Sequence, residues 1–210
     1  MKKSSLLIAL CAVLIAGAAG SVTVNASARS TSGEASATHH KKKKASKYKL
    51  AGPIARARAA TAKYATDLEA AQADGYRIIT RMIPDMGYHF LNPEITEFDV
   101  TKPPILVYVR NGDDWQLVGF EWVFPEKPSR KPLPGAKYGS FGAACHYVDG
   151  TFVFEESEEG CPEVSPETGA EFGFWHSDLV TLHLWAWYPN PDGIYSGTNR
   201  WVRPFNDESV

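Results

Sequence analysis

Residues Ile105 to Phe124 read ILVYVRNGDDWQLVGFEWVF. Two runs rich in β-branched and aromatic side chains, Ile105–Arg110 and Trp115–Phe124, flank the polar link Asn111-Gly112-Asp113-Asp114. Strand-forming runs on either side of a short Gly-containing link predict an antiparallel hairpin. Further along, His146–Val148 and Thr151–Phe154 bracket Asp149-Gly150 as a second, shorter hairpin, and Leu179–Tyr188 reads as the last strand. Upstream, Tyr76–Ile83 is a candidate strand. Before Gly75 the period changes. From Ile54 to Ala73 the chain is Ala-rich with no Gly or Pro, and Ile54, Ala57, Ala60, Tyr64, Leu68 and Ala71 recur at three-to-four spacing. That spacing predicts an amphipathic helix of about twenty residues, with Gly75 as its stop. The fold class that follows is α+β: an N-terminal amphipathic helix packed on a mostly antiparallel β-sheet or small barrel with long loops.

The ends have a different character. Residues 1–28 carry Lys2 and Lys3, then an apolar run from Leu6 to Ala19, then small residues. This is the pattern of a secretory signal, with cleavage expected after Ala26 or Ala28, and the run is too short to favour a retained membrane span. No transmembrane anchor is expected after cleavage. Residues 29–52 are Ser, Thr, Ala, Lys and His with little to bury, so a disordered basic linker is expected there. Residues 53–210 are left as a single α+β domain, long enough for a substantial core. Cleavage would remove Cys11 and keep Cys145 and Cys161. An even number of cysteines in an oxidising compartment predicts a disulfide.

Charge is split along the chain. From Arg29 to Lys63 there are ten Lys/Arg and one acid; from Tyr64 to Val210 there are ten Lys/Arg and 23 acids, a formal balance of −13. An acidic domain lacks the basic face that phosphate binding needs, so nucleic acid is not the expected partner. A basic tail, with His39-His40 before Lys41–Lys44, suits an anionic cell-envelope polymer or a plain solvated linker.

Four polar groups sit in apolar surroundings. His89 lies in Met86-Gly87-Tyr88-His89-Phe90, Glu121 in Phe120-Glu121-Trp122, His176 in Trp175-His176-Ser177-Asp178, and His183 in Leu182-His183-Leu184-Trp185. Strict alternation puts Glu121 on the face of Leu117 and Val123, with Phe120 and Trp122 on the other. A carboxylate there must be paired, protonated or metal-bound, because burying it alone is very costly. His89, Glu121, His176 and His183 together make a plausible shell for a divalent metal such as Zn, Cu, Fe, Mn or Ni. The opposing reading is that each imidazole only satisfies a carbonyl or Glu121. His146, beside the expected disulfide, reads as structural. Asp178 reads as a turn cap or as an orienter of His176, and Asp192 as part of the Asn190-Pro191-Asp192-Gly193 turn. A second possibility places Trp185, Trp187, Tyr188 and Tyr195 in a flat platform for sugar rings.

These residues also carry a resemblance. The helix ending Ala73-Asp74-Gly75-Tyr76, the run Met86–Phe90 with Asn92-Pro93, Cys145-His146-Tyr147 with Asp149-Gly150-Thr151-Phe152, Phe174-Trp175-His176, and His183-Leu184-Trp185 with Asn190–Gly193 resemble a family of exported bacterial proteins of uncharacterised function. The likeness spans about Ala59 to Val202; Ser196–Arg200 departs from it. It implies a shared fold and singles out His89, His176 and His183, but supplies no reaction. The function expected is an exported soluble binding module with a His/Glu metal or small-ligand site. The alternatives are a cell-envelope interaction module whose histidines are structural, and a metal-dependent extracellular enzyme.

Overall fold

The computed structural model describes residues 49–205. The expected signal and nearly all of the expected basic linker lie outside the described residues. Among the described residues, no helix is long and apolar enough to cross a membrane.

Helix α1 covers residues 49–61, so the last linker positions are already helical, and Leu50 is buried in the core. The single long helix expected from the Ala-rich stripe is in fact broken. A short 3-10 turn, Ala62–Tyr64, follows α1, and a separate helix α2 runs from Leu68 to Ala73. Asp67 caps α2 by accepting from the Ala70 amide at 2.9 Å. The break has a use: the Tyr64 carbonyl accepts from Tyr108 Oη at 2.8 Å, and the Ala65 carbonyl accepts from the Leu117 amide at 2.9 Å. An unbroken helix would have kept those carbonyls for itself. Gly75 ends α2 as expected, with φ +101°, the left-handed region that favours glycine.

Among the described residues nine strands follow: β1 Arg77–Ile83, β2 Gly87–Leu91, β3 Ile105–Asn111, β4 Asp114–Phe124, β5 Gly139–Phe141, β6 Ala144–Tyr147, β7 Phe152–Phe154, β8 Phe172–His176 and β9 Leu179–Leu184. Six form a curled antiparallel half-barrel in the order β1-β2-β3-β4-β9-β5; the other three form a small sheet, β7-β6-β8. The expected hairpin is present, with Asn111 opposite Asp114 and only Gly112-Asp113 between them. The last strand is shorter than expected. It ends at Leu184, after which the Trp187 and Tyr188 amides both turn to the Val118 carbonyl, at 3.1 and 3.0 Å.

The half-barrel has two apolar faces. Tyr88, Phe90, Leu106, Tyr108, Phe120, Trp122, Leu182 and Leu184 pack with Ala57, Leu68 and Ala71 of the helices in the main core. Trp187 sits against this core and donates to Thr61 Oγ1 at 3.0 Å, while Arg58 donates to the Ala186 carbonyl at 2.6 Å. The other face carries Val107, Val109, Val118 and Trp185. Trp185 and Tyr195 are both buried, which removes them from any exposed sugar platform.

The small sheet connects the two edges of the half-barrel. Its strands join the β5/β9 edge through the short links between β5 and β6 and between β8 and β9. Its β6–β7 turn meets the opposite edge, where the Arg81 amide donates to the Gly150 carbonyl at 2.8 Å and Arg81 pairs with Asp149 at 2.6 Å. The expected disulfide is there: Cys145 on β6 is bonded to Cys161, packed with Tyr147 and beside Trp175. It closes a loop of sequence separation 16. Substituting both cysteines by serine is expected to lower stability by about 3 kcal/mol in urea denaturation, because the open chain regains loop entropy. An unchanged midpoint would contradict this.

Candidate metal centre

His89, Glu121 and His183 come from three strands, and strand register explains their meeting. On β4 and β9, Glu121 stands directly opposite His183. On β2, His89 stands opposite Val107, which in turn stands opposite Gly119, two residues before Glu121. Residues paired across strands share a face, and so do residues two apart along one. All three polar side chains therefore emerge on the face away from the main core. Gly119 lies against the backbone at the end of β9: a Cβ there would lie 3.0 Å from the Leu184 carbonyl oxygen.

The simple alternation expected for β4 fails at one point. The register steps from Val107 opposite Gly119 to Tyr108 opposite Leu117, leaving Val118 without its own partner in β3. This bulge puts Leu117 in the main core with Phe120 and Trp122, not on the face of Glu121. One extra residue in a strand reverses every side chain before it.

The three groups are buried and close. His183 Nε2 lies 2.9 Å from Glu121 Oε1, and His89 Nε2 lies 3.5 Å from Glu121 Oε2. One ligand atom from each falls within 4.8 Å of the others. His89 is oriented from behind, its Nδ1 2.7 Å from Thr80 Oγ1. Burial pushes the His89 imidazole down to about 4, partly opposed by the charge of Glu121. Burial works to raise the Glu121 carboxyl. The charge and hydrogen bond of His183, with the charge of His89, outweigh it and hold the carboxyl below its usual range. At neutral pH the site thus holds an ionised carboxylate beside a neutral imidazole, the forms in which both bind metal.

His176 is not a member of this group. It ends β8, and its Nε2 faces His146 Nε2 at 3.0 Å. His146, expected to be structural from its place beside the disulfide, is the partner it meets there. It is buried on β6, pushed down to about 4 chiefly by burial, and stacked on Phe174 with ring centroids 4.7 Å apart. The two histidines share a face of the small sheet because Ala144 pairs with His176 and His146 with Phe174. Asp178 holds the Ala143 amide at 2.9 Å, a turn role, while the Ser177 carbonyl bonds His176 Nδ1 at 2.7 Å. Asp192 sits in its turn as expected, its amide bonded to Asn190 Oδ1 and its carboxylate paired with Arg200. The strand character of β8 was legible in alternating Phe172, Phe174 and His176, but Gly173 obscures it.

Comparison with family models, with curated proteins and with solved structures finds no match.

Proposed function

We propose that this chain is an exported binding protein that holds a divalent metal ion on His89, Glu121 and His183. The observation that supports this reading is the buried carboxylate flanked by two imidazoles, with one ligand atom from each within 4.8 Å. Zn–N and Zn–O bonds of roughly 2.0–2.2 Å place neighbouring ligand atoms about 3 Å apart; the His183–Glu121 and His89–Glu121 separations are 2.9 and 3.5 Å, and the whole set would draw in from within 4.8 Å. Imidazole and carboxylate together suit Zn, Fe, Mn, Ni or Cu. The disulfide fits an oxidising compartment, and we extend the proposal to export and to membership of the exported family that the motifs resemble. In the same reading the basic linker contacts an anionic envelope polymer, an electrostatic attraction that salt would weaken. Deleting residues 29–48 is then expected to release the protein from isolated envelope at lower salt.

The metal reading is tested by dialysing the purified protein against Zn²⁺ and measuring bound metal. Glu121→Gln and His183→Ala are each expected to remove one bound ion and its thermal stabilisation. Metal content unchanged by both substitutions would defeat it. A second reading has a specific observation behind it: His183 Nε2 and Glu121 Oε1 at 2.9 Å already satisfy each other as donor and acceptor. In that case the histidines are structural and the chain is an envelope interaction module. A protein that takes up none of these metals would favour it.

A further inference from the structure

His146 and His176 pose a chemical problem that neither the fold nor the first site resolves. His146 Nδ1 lies 2.7 Å from the Ile79 carbonyl oxygen, and His176 Nδ1 lies 2.7 Å from the Ser177 carbonyl oxygen. A carbonyl only accepts, so each Nδ1 must carry a proton and donate it. In a neutral imidazole the other nitrogen, Nε2, then carries a bare lone pair. The two Nε2 atoms face each other at 3.0 Å. Two lone pairs at that distance repel unless a positive centre lies between them.

The spacing suits a metal. Two imidazole nitrogens bound to one ion at about 2.0–2.1 Å lie roughly 2.9–3.4 Å apart for angles between tetrahedral and right-angled. The backing fits as well. A ligating imidazole usually donates its other N–H to a backbone carbonyl or carboxylate, which fixes the tautomer and the ring. Both histidines do this, and they do it from different elements: Ile79 belongs to β1 of the half-barrel, and Ser177 to the β8–β9 link. Phe141, Phe152 and Phe174 pack around the His146 ring, giving it walls but no competing donor. His146 is buried, whereas His176 is only partly so, which leaves an approach from solvent.

We propose that His146 and His176 hold a second divalent metal ion through their Nε2 atoms, on the small sheet and separate from the position formed by His89, Glu121 and His183. An all-imidazole pair suits Zn, Cu or Ni, with water completing the shell on the open side. The second position does not require the first to be filled. It lies within electrostatic reach of it, since Glu121 acts on His176 and His89 on His146. The half-barrel and the small sheet each contribute one position.

The test is equilibrium dialysis against Zn²⁺, using the chain with His39→Ala and His40→Ala to silence the linker imidazoles. Two ions per chain are expected. His176→Ala should leave one, Glu121→Gln should leave one, and the combination none. If His176→Ala leaves the count unchanged, the second position is overturned while the first stands. If His176→Ala removes all bound zinc, one shared ion is shown and the separate position is overturned. If a single ion is lost with His176→Ala but kept with Glu121→Gln, this proposal stands and the first reading falls. Circular dichroism checks folding, and His176→Gln gives a second variant with a closer shape. Cu²⁺ titration of the chain carrying Glu121→Gln and His183→Ala, which leaves a single imidazole at the first position, adds a spectroscopic readout: nitrogen couplings from two imidazoles support the dyad, and their absence overturns it.

Discussion

Gly87→Ala is expected to destabilise the protein by on the order of 4 kcal/mol, at the far end of what single substitutions do. Gly87 has φ +123°, and a Cβ there would lie 2.3 Å from the Tyr108 carbonyl oxygen and 3.3 Å from Val107 Cγ1. The backbone conformation alone costs an L-residue about 1–3 kcal/mol. The clash adds to it, because a backbone carbonyl within β3 cannot rotate aside as a flexible side chain can. The strands must part. The consequence reaches the metal site, since His89 lies two residues along β2. Urea denaturation of Gly87→Ala should show a large drop in midpoint, and surviving folded protein should bind zinc more weakly. Gly112→Ala is the control. Gly112 also has a positive φ, +62°, but nothing lies within 4 Å of its added Cβ. It should cost only about 1–2 kcal/mol of conformational strain. Equal losses at the two positions would show that the close approach of β2 and β3 does not matter.

Acid should begin to destabilise the metal-free protein at a higher pH than ordinary carboxylate titration would. His89 and His146 are both buried and both pushed down to about 4 from 6.5. The sign follows from proton counting. Between pH 6.5 and about 4 the unfolded chain carries protons on both imidazoles, while the folded chain does not. The unfolded state therefore binds more protons, and stability falls as pH falls. A depression of this size corresponds to roughly 3 kcal/mol per histidine when complete. Glu121, held below its usual range, adds loss in the same direction at lower pH. Stability measured by urea denaturation should be level above pH 7 and decline steeply from pH 6.5 towards 4. Bound metal should oppose the decline until protons displace it from the imidazoles. Stability that stays flat through this window would show that both histidines are already protonated in the folded state.

Several parts of this molecule were legible from local pattern. The hairpin at Asn111–Asp114, the helix stop at Gly75 and the disulfide all depend on residues near one another or on simple pairing, and all three are present. Three of the four expected metal-site residues, His89, Glu121 and His183, do meet. What betrayed them was polarity in apolar runs, since a buried charge demands a partner. The misreadings share a different cause. The Ala-rich stripe has helical period throughout, but its carbonyls at Tyr64 and Ala65 are claimed by β3 and β4. Leu117 changes face because of a bulge at Val118, a register step with no mark in composition. Trp187 leaves the strand direction because the chain turns after Leu184 towards Val118 and Thr61.

The division between His176 and the other three is the clearest case. From the sequence alone, His89, His146, His176 and His183 differ only in their neighbours, and His146 looked the least chemical of them. Sequence marked His89, Glu121, His176 and His183 as polar groups in apolar surroundings that need partners, because apolar flanks and desolvation cost are local properties. Their grouping was decided by which strands pair. Glu121 faces His183 because β4 lies beside β9 in the half-barrel, and His146 faces His176 because β6 lies beside β8 in the other sheet. Strand order is set by long-range packing, so only the tertiary structure could sort five polar groups into a triad and a dyad.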